Sequence, residues 1–497
     1  MKLTLETPTR LYIDDIDPKR LDEVKANLTY RDKKVQFELQ KAKKSYYLQH
    51  QMGEERYQAH LDDLKAREKV CLLHVDEDTG RHWVLSGMKA YLEDKYQIQA
   101  KTLYSFPEPQ ALPWLKVPDR TPYPYQIQAK ERLLEALHAR VEMGTGLGKS
   151  FIILNLVKDL GLRTVIMAPS TNIAEQLYDE FLAHFGKKYV GAYFDGKKDF
   201  KKLIVIGNGQ SLTRVEPDSP AGEWFSQAQV FVADESHQCP AATLAKVCTG
   251  ILKNAPYRYF FSATQLRNDG LDLLLDAISG STVFEMTVRE GVDQGYLSKP
   301  VFRLIGSRSD KSYLSKDPNE MTREHLYYNP VVLMQAAEVI NQSVGSLGHQ
   351  VLVLIDEVEQ FTRLLPLLKF KAQFAHGPLS KDNIGKVPAA YHEADNADLV
   401  RRFNASEFPI LFGTSCISTG TDIRSAKTMV YLKGGKSEIE VRQGVGRCTR
   451  LERSLGKTAC TVVDFDVKNV EVVHRHTIAR KKIYNDIYGP VEDVDWG

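Results

Sequence analysis

The chain has 497 residues, 43% of them hydrophobic and 26% charged, with a formal net charge of +2. These are ordinary globular values, and the length suffices for about three domains, each with its own core. The longest apolar runs, such as Val351–Ile355, are far too short to cross a bilayer, and the six cysteines form no CxxC pair, which argues against a zinc site or a disulfide framework.

Met1-Lys2-Leu3-Thr4-Leu5-Glu6 is interrupted by an acid and lacks the apolar core of a signal peptide, so the chain is expected to stay in the cytoplasm, that of the host if it is phage-encoded. In residues 1–116 we expect a small α+β accessory domain. Lys33–Leu39 and Ser45–His50 read as strands, and His82–Leu85 as a strand leading into an amphipathic stretch through Tyr91 and Tyr96. Lys41, Lys43 and Lys44 beside Tyr46 and Tyr47 could touch phosphates and stack on bases, or form a solvated edge over core tyrosines. Six prolines between Pro107 and Pro124 punctuate the exit from this region.

Next comes Gly144-Thr145-Gly146-Leu147-Gly148-Lys149-Ser150. Glycines allow a tight loop whose backbone N–H groups point at an anion, Lys149 adds a charge for the β/γ-phosphates, and the Ser150 hydroxyl can ligate Mg²⁺. Residues 139–142 can end a strand and Phe151–Val157 can start a helix, whose N-terminus favours phosphate. Met143 stands where a strict phosphate loop has glycine. Downstream, Val230–Ala233 reads as a buried parallel strand ending in Asp234-Glu235-Ser236-His237. Asp234 is placed to hold Mg²⁺ and Glu235 to polarise the water that attacks the γ-phosphate. Further on, Arg447 and Arg450 are three residues apart, on one face if helical, and guanidinium forks suit a transferring phosphoryl group. Their distance from Lys149 along the chain places them on another domain, so that hydrolysis depends on domain closure.

These motifs, in this order, resemble superfamily 2 helicases and translocases over residues 120–467, and within them the phage recombination helicases of the UvsW type, through the Ser262–Gly270 segment with Arg267 and Asp269. The resemblance implies ATP and Mg²⁺ as cofactors, with Tyr125 and Gln126 reading adenine. It implies strand contacts from Pro169, Ser170, Gln210, Ser211, Thr414 and Ser415, and coupling of hydrolysis to movement through His237, Ser262 and Thr264. Asp422 would lie near the nucleotide, and Gln443, Arg447 and Arg450 would form the arginine-finger motif. Ser236 in place of Ala argues against the Asp-Glu-Ala-Asp branch.

The expected fold is α/β: two tandem RecA-like parallel-sheet motor domains after the accessory domain. The boundaries fall at 1–116, 117–297 for the first motor domain, 298–328 for a connector, 329–467 for the second motor domain, and 468–497 for a basic tail whose charges face solvent. The resemblance implies an ATP-dependent DNA helicase of single-stranded, forked or branched recombination, repair or replication DNA, with low sequence specificity. Alternatives are an RNA helicase or remodeller, or a translocase or ATP switch without strand separation. No membrane partner is expected; a monomeric motor is, with an oligomer also open.

Overall fold

The computed structural model describes residues 1–117, 121–263, 272–310, 312–414, 417, 423–452 and 456–494. It divides into two units, Met1–Met143 with Gly148–Glu285, and Gly144–Leu147 with Met286–Gly497. Among the described residues no helix is long and apolar enough to cross a membrane.

The accessory region of the first unit holds strands β1 (Lys2–Leu5), β2 (Arg10–Asp14), β3 (Thr29–Arg31), β4 (Lys69–Cys71), β5 (His74–Val75), β6 (His82–Leu85) and β7 (Lys101–Thr102). Five of them make a mixed sheet in the order β5-β6-β2-β1-β7, antiparallel except between β1 and β7. Helix α1 (Pro18–Asn27) leads to β3, which pairs antiparallel with β4 as a separate ribbon.

The two stretches expected as strands inside that ribbon are helical. They form α2 (Lys33–Lys44) and α3 (Tyr46–Met52), followed by α4 (Glu54–Glu68). Two local causes outweigh the alternation of residues 33–39. Asp32 caps α2 by accepting from the amides of Lys34 and Val35 at 2.9 and 3.1 Å, and Val35, Leu39 and Ala42 recur at helical spacing. Those three bury against Tyr57, Leu61 and Leu64 of α4 in a core of their own.

The main core of this unit is continuous from the accessory sheet into the first motor fold. Leu3, Leu11, Met88 and Leu92 share one cluster with Phe260, Leu275 and Ile278. Contact is closest at Gly87, where a Cβ would lie 2.4 Å from the Ala277 carbonyl oxygen and 2.6 Å from that of Asp276. Only glycine lets the two backbones approach so closely.

The first motor sheet comprises β8 (His138–Met143), β9 (Thr164–Ala168), β10 (Val190–Tyr193), β11 (Ile204–Asn208), β12 (Val230–Ala233), β13 (Tyr257–Ser262) and β14 (Thr282–Met286). Its order is β10-β11-β9-β12-β13-β8-β14, with parallel pairing from β10 through β8. The strands are almost wholly buried, as expected of apolar runs covered by helices on both faces.

The second unit repeats the plan with β15 (Lys299–Ser307), β16 (Gln350–Ile355), β17 (Ala372–Ala375), β18 (Ile410–Gly413), β19 (Ala426–Leu432), β20 (Ala459–Val467) and β21 (Val491–Val494). These form a parallel sheet in the order β17-β18-β16-β19-β20-β15-β21. The chain thus has the expected α/β class: two parallel-sheet motor folds and a small α+β N-terminal region. The expected connector and tail both contribute strands to the second sheet. Strand β15 lies between β20 and β21, and helix Glu471–Ile487 of the tail buries Arg480 to 1% exposure instead of presenting it to water.

Candidate nucleotide and nucleic-acid site

Parallel strands carry their chemistry at their C-terminal ends, and β9, β12, β13 and β8 are neighbours in the first sheet. The phosphate loop leaves the end of β8. Met143, the departure from the glycine-rich pattern, is the last residue of that strand and fully buried, so its side chain belongs to the core. Gly146 and Gly148 have φ of +90° and +81°, conformations in the left-handed region, and helix Lys149–Leu160 starts directly behind them. Lys149 is buried to 7% exposure. Its Nζ donates to the Met143 carbonyl at 3.2 Å and pairs with Glu235 Oε1, also at 3.2 Å. Ser150 follows on the first helical turn, half-buried.

Beside it, β12 delivers Asp234 and Glu235. Glu235 takes a left-handed φ of +45°, which turns the chain sharply at the sheet edge. Asp234 is 5% exposed, and its Oδ1 is buried without a hydrogen-bond partner. Burial, then repulsion from Glu235, pushes its pKa up to about 7. An uncompensated carboxylate oxygen here suits a divalent cation, and Ser150 supplies the second oxygen of the set. His237 Nδ1 lies 3.4 Å from Glu235 Oε2, and the buried Ser236 hydroxyl donates to the Phe261 carbonyl of β13 at 3.2 Å. The expectation that His237 bonds across a domain cleft is thus met by a contact with its own loop. Ser262 ends β13 fully buried; Thr264, Arg267 and Asp269 lie outside the described residues.

Gln126 is buried at the N-terminus of helix Pro124–Ala136, where its Oε1 accepts from the Tyr123 amide at 3.0 Å. Tyr125 is buried beside it, its hydroxyl 3.5 Å from Gln126 Nε2. The glutamine therefore caps its own helix here, an arrangement to which sequence gave no clue beyond the Tyr-x-x-Gln spacing.

At the ends of β9 and β11 stand Pro169, Ser170, Gln210 and Ser211, with Ser170 and Gln210 exposed. Ser170 caps helix Thr171–Phe185, and Asn208 accepts from the Ser211 amide at 2.8 Å. Asn208 also donates to the Thr171 hydroxyl at 2.9 Å, tying the two loops together. Sequence reading passed over Asn208 as a structural element, although a helix cap after an apolar strand was visible.

In the second unit, Thr414 follows β18, and its amide donates to the Ala375 carbonyl at 3.3 Å. Ser415 and Asp422 lie outside the described residues. Gln443 and Arg447 are on helix Glu438–Cys448, with Arg447 buried. Arg450 departs from the one-face expectation. The helix ends at Cys448, and Arg450 forms a bridge with Leu297, its carbonyl accepting from the Ser298 hydroxyl at 3.1 Å. Also within this unit, a Cβ on Gly446 would lie 2.8 Å from Thr145 Cβ. One further cluster went unnoticed. Asp356, just past β16, accepts from Tyr327 at 2.5 Å and from the Gly434 amide at 2.9 Å, and pairs with Lys433 at 3.1 Å. Its sequence signals are an apolar strand ending in Asp and another ending in Lys-Gly-Gly.

Comparison with known proteins agrees with this arrangement. A domain model described as "Type III restriction enzyme, res subunit" matches residues 119–267, and one described as "Helicase conserved C-terminal domain" matches residues 335–452. A protein of Acanthamoeba polyphaga mimivirus named as an ATP-dependent RNA helicase is 23% identical over 66% of this chain and 61% of its own length. The DNA 3'-5' translocase XPB2 of Sulfurisphaera tokodaii is 19% identical over 73% of this chain and 85% of its own. The ATP-dependent DNA helicase uvsW of Enterobacteria phage T4 is 24% identical over 69% and 68%. The chain therefore spans less than two thirds of the mimivirus relative. Among solved structures, S. cerevisiae Dbp5 bound to RNA and ADP BeF3 superposes with a TM-score of 0.50 at 13% identity, covering 74% of this chain and 89% of that one. The Type ISP restriction-modification enzyme LlaBIII bound to DNA gives 0.52 at 12%, covering 82% and 34%. At such identities these two likenesses speak to the fold alone. With both domain models matched in order along a chain that carries the phosphate loop, the Asp-Glu-Ser-His box and the arginine motif, the protein belongs to the superfamily 2 helicases and translocases.

Proposed function

We propose that this member of the superfamily is an ATP-dependent DNA helicase or translocase that acts on forked or recombination DNA. The observation that carries the ATPase part is the meeting of Lys149, Asp234 and Glu235 at adjoining strand ends behind a glycine loop with left-handed turns. In this reading the loop amides and Lys149 bind the phosphates, and Asp234 with Ser150 holds Mg²⁺, which would neutralise charge on the phosphates. Glu235 orients and polarises the attacking water once nucleotide draws Lys149 away from it. Arg447 and Arg450 stabilise the charge of the transferring group. Ser170, Gln210, Ser211 and Thr414 grip the strand backbone, so sequence specificity is low and salt dependence high.

DNA as the track is supported by the names of the archaeal and phage relatives. RNA is the second reading, favoured by the name of the mimivirus relative. Steady-state ATP turnover measured with single-stranded, forked and four-way-junction DNA and with matched RNAs, alongside strand separation on the same substrates, separates the two. Stimulation by DNA with ATP-dependent product strands is expected. Stimulation by RNA alone would replace the DNA reading, and DNA stimulation without separation would make the protein a translocase.

A further inference from the structure

Helices α2, α3 and α4 stand as an arm on the two-stranded ribbon of β3 and β4, with a small core separate from the rest of the unit. Helix α2 runs outward from the ribbon, α3 forms the far end, and α4 returns. Val35, Leu39 and Ala42 face α4. On the opposite side, at the same helical spacing, Lys33, Lys34, Phe37, Lys41 and Lys44 form a stripe about 16 Å long. All five are exposed, and Phe37 is 68% exposed although it is a large apolar ring. At the far end Tyr46 and Tyr47 are 74% and 72% exposed. Helix α2 carries five lysines against one glutamate, and among the described residues none of those lysines forms an ion pair.

A second feature lies at the root of the arm. A cleft of about 430 Å³ opens between α1 and the ribbon, lined by Lys25, Tyr30, Arg31 and Lys69 with Asp22 as its one acid. Cations therefore run from the cleft along α2 to the two tyrosines. Burying no part of three large rings costs solubility without aiding the fold, so the rings mark a contact surface.

We infer that the arm is a docking surface for single-stranded nucleic acid, with phosphates following the cleft and the lysine stripe and unpaired bases stacking on Phe37, Tyr46 and Tyr47. The occupant follows from two chemistries together. Lysines at this density match a phosphate backbone. Exposed rings need free base faces, which a duplex keeps stacked on one another and a single strand offers. Because the accessory core is continuous with the first motor fold, the arm holds such a strand at a fixed place beside that fold. The inference rests on the nucleic-acid motor reading and adds to it a strand-capture site outside the motor.

The test uses the full chain and a fluorescent poly-thymidine strand, with a blunt duplex as comparator. Two variants are compared with wild type: Lys34→Gln/Lys41→Gln/Lys44→Gln and Tyr46→Ala/Tyr47→Ala. Both alter exposed positions, and an unchanged melting temperature verifies folding. Each should weaken single-strand binding about tenfold. The lysine variant should also lower the slope of log affinity against log salt by about 2, and the tyrosine variant should leave it unchanged. In both, the strand concentration for half-maximal ATPase should rise while the maximal rate holds. Wild-type binding by both variants overturns the inference, as does a loss confined to the duplex. Failure of any DNA or RNA to stimulate the wild-type ATPase would overturn the motor reading instead.

Discussion

Lys149 Nζ and Glu235 Oε1 form a 3.2 Å ion pair in which the lysine is 8% and the glutamate 20% exposed. The same ammonium donates to the Met143 carbonyl, so the cation is held by the strand end that launches the loop and by the carboxylate of the neighbouring strand. Nucleotide phosphates have to compete with Glu235 for this charge. Binding thereby frees the carboxylate to act on water, and a single cation couples occupancy to catalysis.

Removal of that cation leaves Glu235 partly buried beside Asp234 without the charge opposite it. Lys149→Ala should lower ATP turnover by about a hundredfold or more, because the transferring phosphoryl group loses its fixed countercharge. Steady-state phosphate release, with and without nucleic acid, checks this. Near-normal turnover would sink the site assignment.

Glu235→Gln should separate binding from chemistry. The neutral amide no longer competes for Lys149, so ATP should bind at least as tightly as to wild type. Turnover should fall by about a hundredfold, since the amide cannot polarise water. Equilibrium titration with a fluorescent nucleotide and single-turnover hydrolysis read the two effects apart; weakened binding with intact chemistry would contradict the ion-pair argument.

The catalytic strand ends were legible because each pairs a buried apolar run with polar residues that no core would tolerate. Val230–Ala233 before Asp234-Glu235 is one such run, and Thr164–Ala168 before Pro169-Ser170 is another. The arm was misread for the opposite reason. Lys33–Leu39 alternates in polarity over seven residues, but the capping oxygen of Asp32 and the partner face on α4 decide its conformation, and α4 is remote in sequence. Arg450 was misplaced because its pairing with Leu297 spans about 150 residues, which helical spacing cannot foresee.

His138, at the start of β8, contacts the Ile278 carbonyl through Nε2 at 2.9 Å and the Ser86 hydroxyl through Nδ1 at 3.4 Å. Burial, aided by the nearby Arg258 charge, pushes its pKa down from 6.5 to about 3. The folded chain therefore keeps this ring neutral where the unfolded chain protonates it. Stability from this group is constant above pH 6.5 and falls as pH drops from 6.5 toward 3, by about 2 kcal/mol over the first one and a half pH units. Urea midpoints of the first unit at about pH 7 and about pH 5 test this. His138→Asn should show a smaller acid loss than wild type, and equal losses would remove His138 as the cause.

Arg480 shows how the C-terminal helix secures the second sheet. Its Nε and Nη2 donate to the two oxygens of Asp464 on β20 at 2.8 and 2.9 Å, and its Nη1 donates to the Gly435 carbonyl at 2.7 Å. Tyr484 adds a hydroxyl to the same carboxylate at 2.9 Å. Burial works against the guanidinium charge, but Asp464 more than offsets it, and the arginine's pKa is raised. A bidentate pair this deeply buried is costly to break from one side, because the surviving charge has no water to turn to. Arg480→Met should cost the second unit about 3–5 kcal/mol, read as a shift of its denaturation midpoint. Arg480→Met/Asp464→Leu, which removes both charges, should recover much of that loss. If the double variant is as unstable as the single one, packing of the arginine stem and its bond to Gly435 outweigh the ion pair. The lysine cluster beyond that glycine would then owe its position to the helix and not to the charge.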